Sequence, residues 1–409
     1  MISLSAETIH EKFAEYYQNE GTTLSIPSEA EKREFGFLLF KKRTMLRHKK
    51  FEDVTRLKKL LGSLVPSDVY YSSAYFDDPE REMEGKGWLG SDLVFDIDAD
   101  HVPTPCGRVH DSWVCYSCGF AGKGPSPVEC PRCGEARFDS KTWTCEVCLE
   151  SAKGETKKLL DMLIEDFGFA ADELAVYFSG NRGYHVHVES KTIRLLDSMA
   201  RKEIVDYIVG LGFKSELYGL IREGRVMLGP SSGRTGWRVR VADGIRETLI
   251  KAKQTELKRL GLSKRAVEFI VKNEQNLLER LNDKGRIDVK DLGIKNWKKT
   301  INDVVDLQSS KIDTVVTTDI HRLIRLGGSL HGKTGFKKVE VPVSSLDQFD
   351  PLKEAVAFRD GQMIINITEA PKFRVGYTHY GPFKNVFHKE LPTAAAVFLL
   401  CKGAAQIVG

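Results

Sequence analysis

The chain has 409 residues, 41% hydrophobic and 29% charged, with 61 Lys and Arg against 57 Asp and Glu for a net charge of +4. This is the composition of a globular protein of two or three domains at roughly 150 residues each, and it excludes collagen, a coiled coil and a small secreted scaffold. The longest apolar run, 394–401, is eight residues, where a membrane-crossing helix needs about 20, so no membrane span is expected.

The opening MISLSAETIHEKFAEYY lacks the basic start and apolar core of a signal peptide, and none is expected. Residues 1–65 read as helical, with a basic stretch from Lys41 to Lys50. Strands and turns are expected over 68–98. There LVFDID (93–98) is apolar and bounded by Gly90 and Asp100, the pattern of a buried strand. Side chains alternate along a strand, so Leu93, Phe95 and Ile97 face a core while Asp96 and Asp98 lie side by side on the other face. Carboxylates that close repel unless cations bridge them. Magnesium or manganese, which prefer oxygen ligands, would do so. Asp-x-Asp is also an ordinary turn former at strand ends, so the pair alone does not decide the chemistry.

Seven of the eight cysteines fall in the 43 residues from Cys106 to Cys148. Without a secretion signal, CxxC pairs favour metal over disulfides. Cys115-x2-Cys118-x11-Cys130-x2-Cys133 has zinc-ribbon spacing. Cys106, His110, Cys145 and Cys148 bracket it and make a second tetrahedral set. Two structural zinc ions are therefore expected; one ribbon beside a loose Cys145/Cys148 pair is the alternative. Cys401, in an apolar run, reads as a core residue.

Residues 151–167 read as a helix closed by Gly168. The strands 174–180 and 184–189 follow, joined at Asn181-Arg182-Gly183. Ser179, Arg182 and His185 put a hydroxyl, a guanidinium and an imidazole into one glycine-containing turn, a set suited to phosphate oxygens. An ordinary hairpin with Arg182 in solvent fits the same residues. His187 reads as structural. A helix is expected over 191–210, and charged helices over 243–300. Residues 251–300 carry 14 Lys and Arg against 7 Asp and Glu, either a solvated helical face or a nucleic-acid-facing surface. An α/β stretch covers 311–345 and an Ala-rich helix starts near 392. Within 313–336 lie Asp313, Asp319, Arg325 and a basic loop with His331. Either aspartate is a candidate third metal carboxylate. Counted from Gly328, the glycines stand one residue closer than a Walker loop needs, and that reading is set aside.

REFGF (33–37), MLRHKKF (45–51), LVFDIDAD (93–100), CEVCLE (145–150), EDFGF (165–169), YFSGNRGYHVHV (177–188) and HRLIRLGGSLHGKTGF (321–336) occur in this order. With them the chain resembles, over nearly its whole length, the catalytic small subunit of archaeal/eukaryotic-type DNA primase in its archaeal form. The resemblance implies a mixed α/β (α+β) archaeo-eukaryotic primase core with a zinc-binding insert and a helical subdomain. The expected domains are a discontinuous catalytic domain (1–242 plus 311–409), the zinc insert (101–150) and a basic helical subdomain (243–310). It implies Asp96, Asp98 and Asp313, rather than Asp319, as catalytic acids for magnesium or manganese. Ser179, Arg182, His185, Arg325 and His331 match nucleotide-phosphate contacts, and Arg47 matches a basic residue near the active centre. Structural zinc is implied at Cys106, His110, Cys145 and Cys148. Two departures stand out. Asn181 occupies the place of a second arginine in the eukaryotic form, and the 115–133 ribbon is an insertion. The implied activity is de novo synthesis of short RNA, or DNA, primers on single-stranded DNA template from nucleoside triphosphates. The implied setting is a heterodimer with the primase large subunit in the cytoplasm, beside the DNA. An end-joining repair polymerase on the same core and a non-catalytic zinc nucleic-acid-binding protein are the alternatives.

Overall fold

Phe35 and Phe37, both fully buried, alternate with Gly36 in a short strand, Phe35–Leu38, of a four-stranded antiparallel sheet. The computed structural model that shows this describes residues 4–19, 21–40, 44–102, 104, 106–218, 221–223, 226–228, 235–251, 257, 263–284 and 293–408. The sheet runs Leu323–Arg325, Asp68–Ser72, Phe35–Leu38, Met45–Lys49. Two of its strands fall where the sequence reads as helix, which corrects the 1–65 expectation. Among the described residues of that span, the α-helices are Leu4–Gln18 and Val54–Leu64. They pack Phe13, Tyr17, Leu57 and Leu61 onto Phe35, Phe37, Val69 and Tyr71. Neither strand carries the alternation that would mark it in sequence: Phe35–Leu38 is buried at its first three positions, and Met45–Lys49 is half-buried or exposed throughout.

A second antiparallel sheet has the order Val339–Val341, Leu174–Phe178, Gly183–Val188, Leu93–Asp98. Leu93, Phe95 and Ile97 are fully buried, whereas Asp96 and Asp98 are partly exposed, the alternation read from sequence. Gly183 lies so close to its neighbour that a Cβ there would stand 2.1 Å from the Ile97 carbonyl oxygen. Only glycine lets the 183–188 strand pair tightly at the acid-bearing end. The insert holds a small sheet, Ala121–Lys123, Ser112–Cys115, Phe138–Lys141. The hairpin Gln362–Ala370 with Phe383–Pro392, joined by Ala405–Ile407, packs against the Thr393–Cys401 helix.

The chain separates into two units, one of residues 1–154, 172–201 and 312–409 and one of 155–171 and 202–311. All three acids and the cysteine-rich insert belong to the first. The second is helical, with Trp237–Lys251, Lys264–Lys284 and Ile294–Gln308. Within it Ile301, Val304 and Val305 are buried with Val241 and Ile245, and Arg240 pairs with Asp161 at 2.7 Å and Asp166 at 2.6 Å. Of the basic 251–300 stretch, residues 252–256, 258–262 and 285–292 lie outside the described residues. No helix among the described residues is long and apolar enough to cross a membrane.

Candidate active site

Strand pairing brings the first chemistry together. His185 sits opposite Asp96, and Gly183 opposite Asp98. The His185 Nε2 is 3.6 Å from Asp96 Oδ1. The third acid arrives from remote sequence. The Asp313 backbone N–H donates to the Asp96 carbonyl oxygen at 2.8 Å, and its carboxylate caps the Thr314–Thr318 helix by accepting from Val315 N–H at 3.0 Å. Asp319 closes that helix and accepts from His321 N–H. Burial, then the negative charges of Asp98 and Asp313, push the Asp96 carboxyl up to about 7. Burial also raises Asp98, against the pull of Arg182. Carboxylates this poorly compensated suit a divalent cation, and oxygen donors suit magnesium or manganese.

Beside the acids lies a cleft of about 170 Å3 lined by Asp96, Asp98, Ser179, Asn181, His185, Arg322, Arg325 and His331. Arg325 comes from the other sheet. It is buried, and its guanidinium donates to Asp68 at 2.5 Å and to the Leu330 carbonyl at 3.1 Å. Against the cost of burial, the Arg325 charge holds the Asp68 carboxyl down at about 2. Asp68 also accepts from Gly332 N–H at 3.0 Å, so one carboxylate sets both Arg325 and the loop that carries His331. Burial, then neighbouring cations, keep His185 and His331 well below the usual histidine range, hence neutral. The two basic loops are tied together: Thr334 Oγ1 donates to the Gly180 carbonyl at 2.5 Å, and Gly180, at φ 86, would meet His331 Cβ at 3.0 Å if it carried a Cβ. Counted from Gly327, the 327–334 loop does match Walker spacing. The next element is the Val339–Val341 strand, not the helix whose N-terminus a P-loop needs, so the Walker reading stays excluded.

Two expected nucleotide contacts stand elsewhere. Arg182 is 2% exposed and turned onto carboxylates: its Nη1 donates to Asp111 Oδ2 at 2.9 Å, Nη2 pairs with Asp100, and Nε lies 3.8 Å from Asp98 Oδ1. It lines a different, larger cleft of about 810 Å3 with Asp100 and Asp111. Arg47 pairs with Glu34 at 2.8 Å on the Met45–Lys49 strand, at the opposite sheet edge from Arg325. Three strand spacings, about 14 Å, separate those edges. Sequence reasoning missed Asp68, Arg322 and Lys402. Arg322 lies within the HRLIR stretch, 321–325. Lys402, at the end of the last helix, donates to Asn181 Oδ1 at 3.3 Å, which brings a cation to the position where the eukaryotic form carries its second arginine. Burial, then Arg182 and Lys333, lower the Lys402 ammonium to about 7.

The cysteines form two quartets. The donor atoms of Cys106, His110, Cys145 and Cys148 all lie within 4.8 Å of one another, as do those of Cys115, Cys118, Cys130 and Cys133. Contacts of 3.3 Å (Cys106–Cys148), 3.5 Å (Cys106–Cys145), 3.5 Å (Cys115–Cys133) and 3.7 Å (Cys118–Cys130) approach the edge of about 3.8 Å that tetrahedral Zn–S bonds of about 2.3 Å require. Each quartet can hold zinc, and neither leaves an open position for catalysis.

Comparison with known proteins decides the family. Residues 133–345 match the family model described as DNA primase small subunit. The chain is 32% identical to the DNA primase small subunit PriS of Cenarchaeum symbiosum (strain A), over 97% of each chain.

The chain belongs to the DNA primase small subunit family.

It is similarly 31% identical to PriS of Methanothrix thermoacetophila over the full length of both chains, and 32% identical to that of Archaeoglobus fulgidus over 97% of both. For this primase small subunit, then, the mixed α/β architecture matches the family expected from the sequence.

Proposed function

We propose that the chain is the catalytic subunit of a DNA primase, joining nucleotides into short RNA, or DNA, primers de novo on single-stranded DNA. What supports this reading is that Asp96 and Asp98 line one cleft with Ser179, His185, Arg322, Arg325 and His331, and that Asp313 is tied through its backbone N–H to the Asp96 carbonyl, near enough for its charge to raise the Asp96 carboxyl. Carboxylates for a cation next to donors for phosphate are what nucleotidyl transfer requires.

Asp96, Asp98 and Asp313 would hold magnesium or manganese. Bound there, the cations supply charge neutralisation at the triphosphate and a lowered pKa for the attacking hydroxyl. The chain's own residues do the rest. Arg325, fixed by Asp68 before substrate arrives, presents its remaining donors without losing rotamer entropy at the moment of reaction. Neutral His185 and His331 act as hydrogen-bond donors and add no fixed charge. The Ser179 hydroxyl already accepts from Asn181 and Gly183 N–H groups at 3.3 Å, which leaves its proton free to donate to a phosphate oxygen. Lys402 supplies the cation beside Asn181. The partners of this activity are nucleoside triphosphates, a single-stranded DNA template and a primase large subunit, in the cytoplasm with the DNA. Zinc at the two quartets folds the insert.

The test is synthesis on a single-stranded template without primer, with manganese or magnesium. Labelled di- and oligonucleotides are expected. Extension only from a supplied primer end would support an end-joining polymerase, and no incorporation would support a non-catalytic nucleic-acid-binding protein.

A further inference from the structure

Arg182 does not lie in the phosphate cleft, and its partners form a continuous path. His110 presents Nε2 to its quartet, 3.3 Å from Cys145 Sγ and 3.6 Å from Cys148 Sγ. Its other ring nitrogen, Nδ1, stands 2.7 Å from Asp111 Oδ1. That oxygen also accepts from Trp143 N–H at 2.9 Å. The second Asp111 oxygen, Oδ2, takes Arg182 Nη1 at 2.9 Å, and Nη1 also reaches the Trp143 carbonyl at 3.3 Å. The same guanidinium ends against Asp100 and 3.8 Å from Asp98. Asp111 is 5% exposed and Arg182 2%, so water screens little of the pairing between them. His110, Asp111, Arg182 and Asp98 thus connect the cysteine–histidine quartet to the acidic cleft, one carboxylate deep.

We infer that Asp111 is a positioning residue that couples the Cys106/His110/Cys145/Cys148 site to the acidic cleft, holding Arg182 back from Asp98 so that Asp98 stays open to a divalent cation. This rests on the reading of Asp96 and Asp98 as cation ligands. The physical argument is competition. A guanidinium and a divalent cation want the same Asp98 oxygens. Asp111 shares the guanidinium charge and fixes its Nη1 edge, while its other oxygen fixes the tautomer of a metal-binding histidine, as carboxylates behind metal ligands do. Loading the quartet orders His110, His110 orders Asp111, and Asp111 sets Arg182. Without the Asp111 anion, Arg182 pairs more fully with Asp98 and displaces the cation.

The discriminating substitution is Asp111→Asn. The amide oxygen still serves His110 and Trp143, while the amide NH2 meets Arg182 donor to donor. The experiment measures zinc content by elemental analysis and Mn2+ affinity by electron paramagnetic resonance on the full chain, for wild type, Asp111→Asn, Arg182→Gln and the double variant. Expected are unchanged zinc in all four, Mn2+ binding roughly tenfold weaker in Asp111→Asn, binding tighter than wild type in Arg182→Gln, and no further effect of Asp111→Asn in the Arg182→Gln background. Wild-type Mn2+ affinity in zinc-replete Asp111→Asn overturns the inference, as does an equal loss with Arg182 absent. If Asp111→Asn loses zinc or fails to fold, Arg182→Gln decides alone: Mn2+ affinity no greater than wild type overturns the coupling. Should wild type itself bind Mn2+ no better than an Asp96→Asn variant, the assignment of the acids fails, a result distinct from failure of the coupling.

Discussion

Asp96 and His185 face each other across paired strands, the carboxylate Oδ1 3.6 Å from the imidazole Nε2. Burial, then Asp98 and Asp313, bring the acid to about 7, while burial, then Lys338 and Arg325, keep the imidazole neutral. The pair therefore has one titration near neutrality, and it belongs to Asp96.

Cation binding should follow that proton. Below about pH 7 Asp96 takes up a proton that a cation must displace, so Mn2+ affinity should fall by up to about tenfold per pH unit. In the cation-free chain the folded carboxyl binds its proton more tightly than the unfolded one. Between the ordinary carboxylate range and pH 7 the fold holds more protons, so this group's contribution makes stability fall as pH rises through that window and level off above it. Mn2+ titration and urea unfolding from pH 5 to 8.5 check both signs. Asp96→Asn should remove the stability slope and raise cation-free stability at pH 8 by about 1–2 kcal/mol.

Asp68→Ala should do more harm than its place outside the acidic cluster suggests. It strands the buried Arg325 guanidinium, at a cost of about 3 kcal/mol, and frees the His331 loop. Arg47→Ala removes a part-exposed partner of the buried Glu34, which keeps Lys86 at 3.3 Å and the His48 N–H at 3.2 Å, so it should cost less, about 1 kcal/mol. Urea denaturation of the two variants separates them.

How much of this was legible in the sequence depends on where the partners lie. The Leu93–Asp98 strand and its two outward acids follow from alternation alone. The two metal quartets follow from spacing, although only folding closes Cys106 onto Cys148 at 3.3 Å. Asp68 carried no signal, because its meaning comes from Arg325, 257 positions away. Lys402 sits 221 positions from Asn181 and reads as a helix end. Arg182 read as a phosphate ligand because a guanidinium in a glycine turn resembles one. Three acids from other segments claim it, and no local pattern announces them. The strands Phe35–Leu38 and Met45–Lys49 were hidden for the same reason, since their stability lies in cross-strand neighbours.

Lys402→Ala should raise KM for nucleoside triphosphate roughly tenfold, the loss of one charge-assisted hydrogen bond of about 1.4 kcal/mol, with a smaller change in kcat. Because the ammonium titrates near 7, its help should fade as pH rises above that value. Steady-state kinetics of wild type and variant at pH 6.5 and 8.5 should show the KM gap narrowing at the higher pH.

Elemental analysis should find about two zinc ions per chain, one per quartet. Cys133→Ser, in the exposed corner of the ribbon, should reduce this to about one and spare primer synthesis more than Cys145→Ser does, since only the latter quartet touches Asp111 through His110.

The decisive measurement is primer-free incorporation on single-stranded DNA by Asp98→Ala and Asp313→Ala chains shown by circular dichroism to be folded. Both should lose manganese-dependent synthesis while keeping wild-type helix and strand content. A folded Asp98→Ala or Asp313→Ala chain that makes primers at the wild-type rate would contradict a shared cation site at these acids.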